Sequence, residues 1–189
     1  MLSNPNTEFP LNYVPLRTLA EFIRCQGTWN PREAYFSAMR EWLPRFATFG
    51  QPIRLEDLML FCDCYYLPHE EGLEAEALYQ SVNHLLAKAP ADWTAEEVTA
   101  FRDPATRLHE LCLRLTEVRY RPLFYAFSRR IWELREELDL LLHYVEGQWD
   151  CGRTDVPSLT SHLPGTYRGG LVARLQRLLV QKPDGTFNP

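Results

Sequence analysis

Few residues in this chain are of a type and spacing that could do chemistry. Cys62 and Cys64 stand two apart in a stretch of helical period, where they would point away from each other and make a poor metal pair. His69-Glu70-Glu71 follows Pro68 and reads as a solvated loop, with no second cluster at ligand spacing. His109 and Cys112 are three apart and could share a helix face. A thiol–imidazole nucleophile usually also needs a third, orienting group and a strained or loop position, so the pair is not read as one. His84, His143 and His162 are scattered. Arg168-Gly169-Gly170 could open a helix onto an anion, but no Walker-type Lys-Ser/Thr follows. Hydrolysis by paired carboxylates needs two acids around one bond. Glu70-Glu71, Glu96-Glu97 and Glu136-Glu137 read as solvated pairs on a loop or polar helix faces, and no Asp-Asp pair occurs. The expectation is therefore a chain with no catalytic residues, no metal and no cofactor of its own.

The elements that would hold such residues are helices. Only 9 glycines in 189 residues, with runs of Leu, Ala, Glu and Arg, favour them. Residues 1–14, with Pro5 and Pro10, read as an extended leading segment. Leu16, Leu19, Ala20 and Ile23 mark a first helix that Gly27 would end. Asn30-Pro31-Arg32-Glu33 predicts a capped start for a second, which Pro44 should end or kink. A third carries Leu55, Leu58, Cys62 and Tyr65. A fourth, over 73–88, would bury Ala77, Leu78, Val82, Leu85 and Leu86. Thr94 to Glu97 is a capping box for a fifth, whose first turns Pro104 should interrupt. Phe127, Ile131, Leu134, Leu138, Leu141 and Val145 form a heptad-like seam, with charges from Arg129 to Glu137 on the other face and Gly147 as its bound. Such a seam can pack within the chain or against a second copy. A last helix is expected over 169–181, and no strand is convincing. The predicted class is all-α, a helical bundle with a short extended N-terminal segment.

The formal net charge of −5 argues against a nucleic-acid partner working through bulk electrostatics. Five cysteines without regular spacing do not suggest a disulfide framework, and a reducing, cytoplasmic setting is the simpler expectation. No signal peptide or membrane-length apolar run is read. Tyr125 and Trp132 lie off the seam, where they either pack on other helices or present a partner surface.

Asn4-Pro5-Asn6-Thr7-Glu8-Phe9 followed by Leu11-Asn12-Tyr13-Val14-Pro15-Leu16-Arg17-Thr18-Leu19-Ala20 resembles the last barrel segment of the O-GlcNAcases, glycoside hydrolase family 84. Leu55-Glu56-Asp57-Leu58 and Tyr66-Leu67-Pro68-His69-Glu70-Glu71-Gly72 resemble the start of the helical stalk that follows the barrel. Tyr167-Arg168-Gly169-Gly170-Leu171 and Gln176-Arg177-Leu178-Leu179 resemble its closing segment. Such enzymes remove N-acetylglucosamine from Ser and Thr of proteins. The sugar's own acetamido group is the nucleophile, and two adjacent barrel aspartates assist it. The resemblance implies that residues 1–27 end a catalytic barrel and 28–189 form a non-catalytic stalk, with the acid pair upstream. It implies that Asn4 contacts sugar hydroxyls and that Trp132 lies on a surface facing peptide or partner, while Gly165 replaces another aromatic. It also implies partners: the upstream barrel, a homodimer through helices, and an O-GlcNAc-modified protein as substrate of the whole enzyme. The short stretch from Phe46 to Leu55 resembles a compact bacterial type. The alternative is a free-standing helical adaptor that pairs through the 127–145 seam.

Overall fold

The computed structural model describes residues 8–65, 72–151, 170–181, 183 and 187–188. Its class is all-α, as expected. The helices are α1 (Tyr13–Arg24), α2 (Pro31–Trp42), α3 (Leu55–Asp63), α4 (Leu73–Leu86), α5 (Ala95–Thr116), α6 (Arg121–Cys151) and α7 (Leu171–Leu175). Short 3-10 turns cover Phe9–Asn12, Leu43–Phe46 and Pro90–Asp92. A minimal antiparallel pair, β1 (Val180–Gln181) and β2 (Phe187–Asn188), aligns Val180 with Asn188 and Gln181 with Phe187.

The start signals act as their chemistry requires. Asn30 Oδ1 accepts from the amides of Arg32 at 3.1 Å and Glu33 at 3.2 Å, and Pro31 occupies the first turn, where no amide is needed. In the box before α5, the Thr94 amide donates to Glu97 Oε2 at 3.1 Å. The Glu97 amide donates to Thr94 Oγ1 at 3.2 Å. The α4 start uses Gly72, whose amide donates to the Asp63 carbonyl at 2.8 Å. A Cβ at Gly72 would overlap the Asp63 side chain, so the close approach requires glycine.

Several expectations change. Residues 9–12 are not extended but form a 3-10 turn leading into α1 at Tyr13; Pro10 sits in the first turn, which tolerates it. Pro104 does not interrupt α5. The bond it forfeits is to the carbonyl of Ala100, and both residues are exposed, so water can serve that group. Gly147 does not bound α6, which runs on to Cys151. The last helix stops at Leu175 and gives way to turn and strand. Ala77 is exposed, and Ala75 takes its place on the buried face of α4.

The chain divides into two compact units. The first holds residues up to Met59 with Leu113–Ile131; the second holds Leu60–Cys112 with Trp132 onward, so α5 and α6 contribute to both. The first unit is built on aromatics: Trp42 meets Phe46 edge-on at 4.8 Å, and Phe46 stacks on Phe127 at 5.8 Å. Asp57 is 1% exposed in this unit, and accepts from Arg114 Nη1 and the Arg54 amide, each at 3.0 Å. Thr48 and Val118 form an isolated bridge beside them. The second unit buries Val82, Leu85, Phe101, Leu108 and Leu111, together with the second half of the α6 seam. Arg174 clamps α7 there: it pairs with both oxygens of Glu76 and lies 3.6 Å from the centre of the Tyr79 ring.

All six seam residues, Phe127 to Val145, are buried within the single chain, each at 2% exposure or less. Nothing of that seam is left for a second copy. The adaptor alternative therefore loses the interface assigned to it.

Candidate functional site

The residues that could do chemistry are spent on structure. Cys64 is buried and its Sγ donates to the Leu60 carbonyl at 3.4 Å, while burial pushes the Cys62 thiol up to about 12. Cys112 is also buried, with its thiol pushed up to about 12, so neither is a nucleophile at neutral pH. His109 Nε2 lies 3.5 Å from Asp139 Oδ1; burial holds the imidazole below its usual range although Asp139 pulls the other way. His84 Nε2 is 3.1 Å from Glu97 Oε1, and Lys88 shares that oxygen. Hydrogen bonds from Lys88, the Thr94 amide and His84 outweigh desolvation and lower Glu97 to about 2. Among the described residues no group of His, Cys, Asp or Glu could hold a metal ion.

Glu136-Glu137 is not the solvated pair expected. Adjacent positions on a helix point about 100° apart: Glu136 is exposed while Glu137 is 1% exposed. Glu133, Glu137, Leu140, Tyr144 and Gln148 form a second buried stripe beside the seam, so the charged face is narrower than its composition suggests. Burial pushes Glu137 up to about 8 against a hydrogen bond from Gln176.

What stands out is a surface. No residue of α1 is buried, although its apolar and polar sides are sharply separated. Phe9 is 79% exposed, Ile23 65%, Phe22 43% and Leu16 39%. Phe9, Leu16 and Ile23 recur every seven residues and so share one side of the segment. The opposite side is firmly anchored on α2. Arg17 grips Glu41 with Nε and Nη2, both at 2.9 Å, and reaches Glu21 with Nη1 at 3.0 Å. Tyr13 donates to Glu41 Oε2 at 3.0 Å and its ring stacks on Trp42 at 6.5 Å. The arginine hydrogen bond, then the tyrosine one, holds Glu41 below the ordinary carboxylate range.

A groove of about 350 Å³ opens along this surface, lined by Phe9, Pro10, Asn12, Tyr13, Leu16, Arg17, Trp42, Arg45, Tyr120 and Leu123. All these residues belong to the first unit. Asn12 is the buried polar group in its wall, 4% exposed. Arg45 lies over the Tyr120 ring, 5.5 Å from its centre. Isolated exposed apolar residues are ordinary, but several contiguous ones lining a groove mark a contact surface.

Asn4, His69, Glu70, Glu71, His162, Gly165, Arg168 and Gly169 lie outside the described residues. Gly170, with φ of 85°, precedes a helix of only five residues. Trp132 is exposed at 44%, with the Arg135 guanidinium 5.4 Å from its ring centre; in the other unit, Tyr125 is 67% exposed beside Arg121. The α1 surface was visible in sequence only as a helical stripe, because a period states which side is apolar and not what covers it.

No family model matches the chain. It is similar to protein O-GlcNAcase of Rattus norvegicus and of Mus musculus, 26% identical to each in an alignment of 146 positions that covers 69% of this chain. The chain spans 16% of the length of these curated relatives. It is thus a partial relative of protein O-GlcNAcase. An all-α fold that matches a small fraction of these relatives is compatible with a non-catalytic helical domain. Among the described residues no helix is long and apolar enough to cross a membrane.

Proposed function

We propose that this chain is the last segment of the catalytic barrel plus the non-catalytic helical stalk of a bacterial-type, family 84 β-N-acetylglucosaminidase, and that the rest of the barrel packs on the α1 surface. The observation that supports this most is α1 itself: a helix anchored on one side by Arg17 and Glu41, with no residue buried and Phe9, Leu16 and Ile23 bare on the other. In this reading residues 1–27 close the barrel and 28–189 are the stalk. Asn4 then reaches sugar hydroxyls, and Trp132 offers an aromatic face to peptide or partner. The barrel supplies the acid pair, the whole enzyme acts on O-GlcNAc-modified protein in the cytoplasm, and helices of two copies pair.

The test is turnover of an aryl N-acetylglucosaminide. The purified chain should show none, and coexpression with the region encoded directly upstream of Met1 should yield activity. Robust turnover by the chain alone, lost on substitution of one of its own residues, would overturn the reading.

A further inference from the structure

The groove along α1 has a chemical character that narrows what fits it. Its two cations are not equivalent. Arg17 is consumed, its fork closed by Glu41 and Glu21. Arg45 forms no ion pair among the described residues and offers its charge at the rim, held by the Tyr120 ring. The walls between them are apolar, from Leu16, Trp42 and Leu123. A guanidinium stacked on an aromatic ring keeps its edge donors available to a carboxylate. The groove is continuous with the bare side of α1 through Phe9 and Leu16.

We propose that this groove receives a segment of the protein docked on α1, one that inserts a bulky apolar side chain and places a neighbouring carboxylate on Arg45. The inference rests on the reading of α1 as a docking surface and specifies the partner's chemistry: apolar and acidic, not basic. The apolar insertion provides contact area, and the Arg45 pair selects register and partner.

Capped hexapeptides with a Leu-Phe core, flanked by glutamate, glutamine or lysine, probe this in the intact chain through the indole N–H resonance of Trp42. The glutamate peptide should bind about fivefold more tightly than the glutamine one, the size of a partly exposed charge pair. Arg45→Gln should erase that preference, and Arg45→Glu should reverse it towards lysine, which a merely structural role would not do. Equal affinity for all three peptides, or resonance shifts away from the groove, would overturn the proposal. So would self-association of the chain that Arg45→Glu abolishes, since the occupant would then be a second copy. If the upstream region still binds through α1 while the peptides show no charge preference, the docking surface stands and this assignment of the groove falls.

Discussion

Arg114→Met should destabilise the first unit by about 3 kcal/mol, because removing one partner of a buried ion pair strands the other. Asp57 is 1% exposed, and its remaining donors come from Arg54. Burial alone would raise its pKa; the Arg114 hydrogen bond and the Arg54 amide instead hold it below the ordinary range. In the wild type this depressed carboxyl contributes stability above its unfolded pKa, and that contribution is lost as pH falls through the lower folded value. In the variant the charged carboxylate becomes the liability, so the deficit should shrink towards pH 4. Asp57→Asn in the same background should recover part of the loss, since a neutral amide has less to desolvate. Urea unfolding of the single and double variants at pH 7 and pH 4 checks all three statements.

Glu137→Gln should do the opposite and stabilise the protein, by on the order of 2–3 kcal/mol at pH 7. Burial pushes the Glu137 carboxyl up to about 8, from 4.5 for the free group. The fold therefore holds a proton that the unfolded chain releases. The sign follows: relative to acid, this group lowers stability steadily as pH rises from about 4.5 to about 8, and then the effect levels off. Glutamine has the same shape and keeps a hydrogen bond to Gln176, but it has no proton to lose. The gain should be near zero at pH 4 and largest at pH 8 and above. Melting temperatures of both proteins across that range are the measurement; parallel curves would show that Glu137 is not buried as an acid.

These two residues also mark where sequence stops being informative. The local signals were legible because each is a short-range bond: Asn30 to the amides two and three residues on, and Thr94 to Glu97 and back. The α6 seam was legible because six apolar residues at heptad spacing leave little choice of buried side. Glu137 was not, because its hydrogen bond runs to Gln176, which no local pattern links to it. The Asp57–Arg114 pair spans 57 positions and is likewise invisible in one dimension. Pro104 misled because a missing hydrogen bond is cheap on an exposed face. The candidate surface was half legible. Leu16 and Ile23 announced an apolar side of α1, while their exposure came only from the fold.

Docking on α1 depends most directly on that exposure. The upstream region and this chain, expressed together with separate tags, should copurify as a stable complex. Leu16→Asp with Ile23→Asp should abolish copurification while leaving the circular dichroism and melting of the isolated chain unchanged, since neither side chain is buried in it. Undiminished association of that double variant, or a stop codon directly upstream of Met1, would contradict the central claim.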